Sequence, residues 1–385
     1  MTQKIGLLFI LFSFHSFSAE IDQTMWYEHG IEPGQTIAKY SGVFVGSMKI
    51  SPTAVSANGI EYYTYTKCIY INGIPKQLLK VADSTGKSYV VNRYENVCDF
   101  HDNAAIRVGT DGYIRLYKSA RGGWRPSHTF VSKRKYDISE WQLAEVGDRA
   151  YPQAWSMGLI YTRYNGAIRE LYVKANNCEK KLVSGGHYAV SHYDGNFIHI
   201  AYNYHVDNDL QRRKNIYYMR SADGCHWQNA KGEALNLPVI ADSPRTLIKD
   251  TDTAYAYLKD IDVINGKVHI AYVNTLGNDP SGLYPRRLKV LTLDGKQTDI
   301  AEVCHNYNSG SFVDGNIVFP MCGNELGRAG GPIYTYSLDG IKIGEPIIGR
   351  GAPNFVRKII GSTGFIYGDT ASSVIDYNDA VLIRN

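Results

Sequence analysis

The sequence has 385 residues, with 41 Lys and Arg against 37 Asp and Glu, a formal net charge of +4. A surplus this small, with no run of like charges, excludes the concentrated basic face that nucleic-acid binding needs, while an acidic polymer remains compatible as a partner. Gly is frequent at 37, Pro sparse at 13, and Tyr unusually common at 30; Tyr favours strands and also stacks on sugar rings.

Residues 1–19 read as a secretory signal peptide. Lys4 is a weak positive start, Ile5 to Phe14 an apolar core, and Ser16, Ser18 and Ala19 are small residues suited to cleavage. The apolar run is too short to span a bilayer, and no later segment approaches that length. The expectation is an exported protein, secreted or periplasmic, with no membrane partner, and a single catalytic domain over 20–385.

Strand signals then recur from end to end. Gly42–Ile50, Ile60–Ile71, Gln77–Ala82 and Ser88–Asn92 are short β-rich runs split by turn residues such as Asn-Gly. The stretch from Cys98 to Pro126 organises the chain. Ala104–Ile106 and Tyr113–Tyr117 read as two strands, with Thr110-Asp111-Gly112 as the turn. A hairpin brings its ends together, so His101 and Arg121 are expected side by side at one rim of a sheet. An imidazole beside a permanent cation suits acid–base chemistry on an anion.

A helical turn is predicted within Asp137–Val146, and no long amphipathic helix follows. Tyr151-Pro152 leads into Leu159–Tyr164, then come Arg169-Glu170-Leu171-Tyr172, Gly186-His187-Tyr188 and Arg213-Lys214-Asn215-Ile216-Tyr217-Tyr218. Ser221-Ala222-Asp223-Gly224-Cys225-His226-Trp227 resembles the Asp-box, a structural hairpin turn with a Trp packed beneath, so Asp223 is a poor catalytic candidate. Strand texture continues through Val268–Val273, Arg287–Leu293, Ile317–Met321, Ile333–Ser337 and Gly364–Gly368.

Six cysteines, Cys68, Cys98, Cys178, Cys225, Cys304 and Cys322, permit disulfides in an exported protein without fixing their pairing. No CxxC pair is present, and Cys304-His305 with Cys322 fits no zinc spacing. A structural metal is left open. Regular hairpins, scarce helix and an Asp-box point to an all-β fold, a β-propeller, with a length that suits seven blades.

Taken together, the stretches at 101–114, 151–163, 186–188 and 213–227 resemble the BNR-repeat propeller family of secreted polysaccharide lyases, ulvan lyases among them. The resemblance runs from about residue 40 to about 330. It implies β-elimination beside a uronic acid: a base takes the C5 proton, a cation offsets the carboxylate, and an acid protonates the departing O4. It assigns His101 and Tyr151 as the acid–base pair and Arg163 as the carboxylate clamp; Arg121, as a permanent cation, is expected beside the same carboxylate on its own chemistry. Arg121 departs from the ulvan-lyase pattern, where a second His stands, and this weakens ulvan as the substrate more than it weakens elimination. Asn103, Arg125, His187, Tyr188 and Arg213 are the candidate substrate-binding residues. The chemistry requires no cofactor. The expected partner is an acidic polysaccharide, and the protein a monomer. A glycoside hydrolase or a non-catalytic carbohydrate-binding propeller are the alternatives; hydrolysis usually needs a carboxylate pair, and Asp99, Asp102, Glu140 and Asp207 form no evident one.

Overall fold

The computed structural model describes residues 36–38, 43–44, 49–72, 74–93, 99–121, 125–175, 178–275, 286–303, 305–306, 308–322, 330–348, 354–368 and 380–383. The signal segment 1–19 and most of Gly42–Ile50 lie outside them.

Short β-rich runs separated by tight turns can pair only with their immediate neighbours, and the chain does so repeatedly. Among the described residues, antiparallel hairpins build seven separate sheets of four or five strands. The innermost strands, in chain order, are Ala54–Ala57, Ala104–Val108, Ala150–Ala154, Gly186–Tyr193, Ala256–Ile264, Ser311–Val313 and Phe355–Lys358. Residues just ahead of the inner strands bridge to other sheets in parallel: Ser51, ahead of the first, to Gln153 on the third, and Ser309, ahead of the sixth, to Phe355 on the seventh. Ile360, just past the last inner strand, bridges Val55 on the first, so the ring closes on itself. One sheet joins the two ends of the described chain: Thr36–Ala38 pairs with Ala380–Ile383, with Thr36 opposite Val381. The architecture is an all-β propeller, which leaves only short edges exposed.

The core fills the wedges between adjacent sheets. Val55, Tyr62, Leu79 and Val81 of the first sheet pack on Ala104, Ile106, Ile114 and Leu116 of the second. Strand Ile114–Lys118 shows the cause: every second side chain is buried, as a period-2 pleat with one face inward demands. Each fully buried Leu or Ile there contributes about 1.5–3 kcal/mol.

The predicted hairpin at Ala104–Val108 and Ile114–Lys118 forms, with Ala104 opposite Lys118. The Asp-box forms too. Ser221 Oγ donates to the His226 carbonyl at 2.6 Å, Asp223 Oδ1 accepts the Cys225 and His226 backbone N–H groups at 2.7 Å, and the buried Trp227 indole donates to Gly224 O at 3.0 Å. Cys178 is disulfide-bonded to Cys225 at this turn, and Cys322 is also disulfide-bonded. Cys98, Cys304 and the Cys68 side chain lie outside the described residues. The helical turn expected within Asp137–Val146 is instead a bend leading into the outer strand Trp141–Gly147. That strand pairs with Ser127–Ser132, and the ladder overrides the weak local preference.

Candidate active site

The ends of the 104–118 hairpin meet as the sequence predicts, through a residue to which the sequence reading gave no part. Asp99 caps the short 3-10 turn Phe100–Asp102: its Oδ1 accepts the backbone N–H of His101 at 3.0 Å and also bonds His101 Nδ1. Its Oδ2 lies 3.0 Å from Arg121 Nε and 2.7 Å from Arg125 Nη2. Arg125 Nε reaches the fully buried Asp102 at 2.7 Å. Burial pushes the Asp99 carboxyl up, but its bonds from His101 and the charge of Arg121 win, and it is held well below the usual carboxylate range. An anionic carboxylate only accepts, so this bond places a proton on His101 Nδ1 and turns Nε2 to the far side of the ring.

Tyr151 and Tyr188 close the site from the next two inner strands. Each sits at a register shift, between Ala150 and Gln153 and between His187 and Val190. Each adopts a left-handed backbone, φ +52° and +54°, which is strained for a bulky side chain and is held only where the surroundings over-determine it. The bulges re-aim both rings. Tyr151 stands edge-on to His101 at 5.9 Å, to His187 at 5.1 Å and to Tyr188 at 5.3 Å. Its backbone N–H is tied to Ser119 Oγ, at the foot of the 104–118 hairpin, at 2.9 Å. The Tyr151 hydroxyl is buried, with the Tyr188 hydroxyl as its polar neighbour. Burial, then the neighbouring Tyr188 and Tyr164 hydroxyls, push its pKa well up, so the phenol keeps its proton.

His187 is buried against Thr162 Oγ1 at 3.3 Å. Burial, then His205, Arg169 and Arg213, hold its pKa far down, so it is neutral. Arg213 is clasped between the Tyr188 and Tyr257 rings, 4.4 and 4.6 Å from their centroids. Asn103 is a buried turn fixture whose Oδ1 accepts the next backbone N–H, that of Ala104, at 2.8 Å; this accounts for it without substrate.

Arg163 does not join the group. It is held by Asp148 at 2.8 Å and Glu179 at 2.7 Å and lies over the Tyr161 and Tyr172 rings. The reason is strand parity. In the hairpin of Gly158–Asn165 and Ile168–Ala175, Arg163 is opposite Glu170 while Tyr164 is opposite Arg169, and consecutive residues face opposite sides of a sheet. Thr162 and Tyr164 therefore share the site's face. Tyr164 is 6.2 Å from His187, and Arg169 lies over the Tyr164 ring at 5.5 Å. The arginine this hairpin brings to the site is Arg169.

Sequence reasoning thus missed Asp99, Tyr164, Arg169 and His205, the last 5.8 Å from His187. The signals existed: an acid two residues before His101, and strand alternation from Thr162. Among the described residues no group of three His, Cys, Asp or Glu could hold a metal ion, and no helix is long and apolar enough to cross a membrane.

The comparisons with known proteins agree with the architecture. No protein-family model matches the chain. An ulvan lyase of Nonlabens ulvanivorans is 24% identical over 251 residues, 52% of this chain and 53% of that enzyme; the chain therefore spans about half the length of the curated relative it matches. A solved structure described as a new family of polysaccharide lyase, PL25 ulvan lyase, superposes with a TM-score of 0.66 at 17% identity. It covers 92% of this chain and 96% of its own. The same lyase solved with -[GlcA(1-4)Rha3S]- bound gives a TM-score of 0.66 at 16% identity, with the same coverage. The polysaccharide lyase Uly1 gives 0.61 at 12% identity, over 92% of this chain and 100% of that one. At these identities the structural likeness establishes the fold.

Proposed function

We propose that this chain is a polysaccharide lyase that cleaves an acidic, uronate-containing polysaccharide by β-elimination, on a propeller with one blade per sheet. The observation that carries the reading is the convergence of His101, backed by Asp99, with Tyr151 and Arg121 at one rim of the ring. The likeness to polysaccharide lyases, one of them solved with a GlcA-containing saccharide, supports it.

In this reading, the substrate carboxylate lies against Arg121, whose side chain is 34% exposed and so within reach. A guanidinium there spreads the negative charge that develops as the C5–H bond breaks. His101 Nε2 takes that proton, and Asp99 stabilises the resulting imidazolium. The C4–O4 bond breaks, a C4=C5 double bond forms, and the Tyr151 phenol gives its proton to O4. Asp99 holds the base in one tautomer, and burial keeps the acid protonated, so the two groups start in the states that elimination needs. Arg169 extends the cationic wall along the polymer. Arg163 has no part in the chemistry.

The hydrolase reading is weaker. Asp99 and Asp102 are both ion-paired to Arg125, so neither supplies the protonated acid of a carboxylate pair. Export through residues 1–19 would place the enzyme where such polymers occur. The test is incubation with a panel of acidic polysaccharides while following the ultraviolet absorbance of an unsaturated uronate. New reducing ends without that absorbance would contradict elimination. Binding without any change in the polymer would leave only a carbohydrate-binding propeller.

A further inference from the structure

The inner strands have two ends, and the rim around His101 and Tyr151 uses one of them. Tyr188 sits near the start of strand Gly186–Tyr193 at that rim, and His192 near its close, roughly 13 Å of extended chain further on. At this far end lies a cavity of about 610 Å³. It is lined by the last residues of inner strands from four sheets: His192, Asp262 of Ala256–Ile264, Val313 of Ser311–Val313 and Lys358 of Phe355–Lys358. The volume falls in the range of small-ligand pockets, about 300–1,000 Å³. None of its lining residues belongs to the candidate active site.

The sequence shapes the lip of this cavity. Asn265-Gly266 and Asp314-Gly315 each turn one strand into the next in two residues, with φ +52° and +72° in the first turn and +47° and +73° in the second. Paired positive φ angles are what the tightest hairpins need, and Asn-Gly and Asp-Gly supply them. Inside, Asp262 joins two partners. Its Oδ1 lies 3.0 Å from His192 Nε2, and its Oδ2 accepts from Lys358 Nζ at 2.6 Å. The Val263 N–H also donates to Oδ1, at 2.8 Å, and the Trp155 ring stands edge-on to His192 at 5.6 Å. Asp262 and Lys358 line the cavity and keep 16% and 17% of their side chains exposed, so this polar pair is held in place yet open to a ligand.

The chemistry of the lining selects the ligand. Lys358 Nζ makes one hydrogen bond, to Asp262, and an ammonium has three N–H groups; Asp262 Oδ2 accepts one and has a second lone pair. Donors and an acceptor therefore stand side by side. An anion would meet Asp262 and the exposed Asp314, and a cation would meet Lys358, so an uncharged ligand fits best. Val263, Ile264, Leu338 and Ile360 are partly exposed and give the cavity an aliphatic wall. A sugar ring presents both matching surfaces at once, hydroxyls that donate and accept and an apolar C–H face. We propose that this second cavity binds an uncharged saccharide unit, its hydroxyls on the Lys358–Asp262 pair and its C–H face on the aliphatic wall. Burial, then the charge of Lys358, hold the His192 pKa down to about 4; at neutral pH His192 is an uncharged donor that steadies Asp262. The inference rests on the cavity and not on the lyase reading.

The experiment is saturation-transfer difference NMR on the full-length protein, with glucose, xylose and maltose as uncharged probes and glucuronate as the charged one. A specific site gives a saturable signal from at least one uncharged sugar. Lys358→Met is expected to raise the Kd of that sugar by about tenfold or more, the usual loss with a charge-assisted hydrogen bond. Leu338→Trp, which fills the cavity from its aliphatic wall, serves if Lys358→Met does not fold. No saturable signal from any of the three uncharged sugars would overturn the proposal. So would a signal that both folded variants leave unchanged, because the sugar then sits elsewhere. A signal lost in Lys358→Met only for glucuronate would overturn it too, by making the cavity an anion site. Because the binding of free sugars needs no turnover, the outcome is independent of whether the protein eliminates, hydrolyses or only binds its polymer.

Discussion

Two of the His–Asp pairs of this protein, one beside the 104–118 hairpin and one at the Asp-box, differ in everything except the pairing. At the inner rim, Asp99 binds His101 with 16% and 19% of their side chains exposed, and the same carboxylate is gripped by Arg121 and Arg125. At the Asp-box, Asp223 binds His226 at 2.6 Å with 50% and 87% exposed. Asp223 also accepts backbone N–H groups, and a buried Trp lies under the turn. The first Asp is positioned to serve a histidine that faces a ring of aromatic and cationic groups. The second serves its own backbone. Chemical identity of a pair therefore says little; the neighbours that fix its charge and its view decide what it can do.

Substitution of the two histidines is the sharpest way to break this contrast. His101→Ala is expected to lower kcat for elimination by about 10²- to 10⁴-fold, the usual contribution of a general base, while His226→Ala stays within about twofold, as exposed sites do. Equal losses would remove the distinction between the hairpins. Tyr151→Phe is expected to cost about 10²-fold or more in kcat with Tm lowered by no more than a few degrees, because the deleted hydroxyl leaves only its contact with Tyr188. A large fall in Tm with full activity would make Tyr151 a packing residue only.

The carboxylates can be compared through pH. Asp99 has a folded pKa depressed below its unfolded value. Its stabilisation is thus fully present above the unfolded value of about 3.9 and is lost as pH falls below that toward the folded pKa. Asp99→Asn is expected to lower kcat by on the order of tenfold, by loosening the base and its tautomer, and to flatten the acid limb of the stability curve. Chemical denaturation between neutral pH and the acid limb checks the sign. An unchanged acid limb would mean that Asp99 is not the group that links His101, Arg121 and Arg125.

The smallest contrast lies within one hairpin. Arg169→Met is expected to raise KM for the polymer by about tenfold, because a charge-assisted hydrogen bond to the glycan can no longer form. Arg163→Met should leave KM within about twofold and cost up to about 1 kcal/mol of stability, as a partly exposed ion pair does. A larger KM effect at Arg163 would return it to the site.

These two arginines also show how far the sequence could be read. The 104–118 hairpin was legible because Asp-Gly turns and alternating strands are local, and the meeting of His101 and Arg121 followed from hairpin geometry alone. Arg163 was misplaced because the choice rested on resemblance. Pleat parity would have selected Arg169, had the inward-facing Thr162 been known. Asp99 was passed over because acids were weighed only as a hydrolytic pair, and its role as a bridge emerges once Arg121 and Arg125 fold back across it. His205 and Lys49 carry no motif. Lys49 is buried where it reaches Leu258 O, 209 residues away, and no local pattern encodes that.

The central claim is that the rim around His101 and Tyr151 breaks a glycosidic bond without adding water to it. Digestion of an acidic polysaccharide in heavy-oxygen water, followed by mass spectrometry of the oligosaccharides, tests it directly. The account predicts products that lack the mass of one water at the new non-reducing end and carry no heavy oxygen at the cleaved bond, and their loss in His101→Ala. Saturated products bearing the heavy-oxygen label would contradict it.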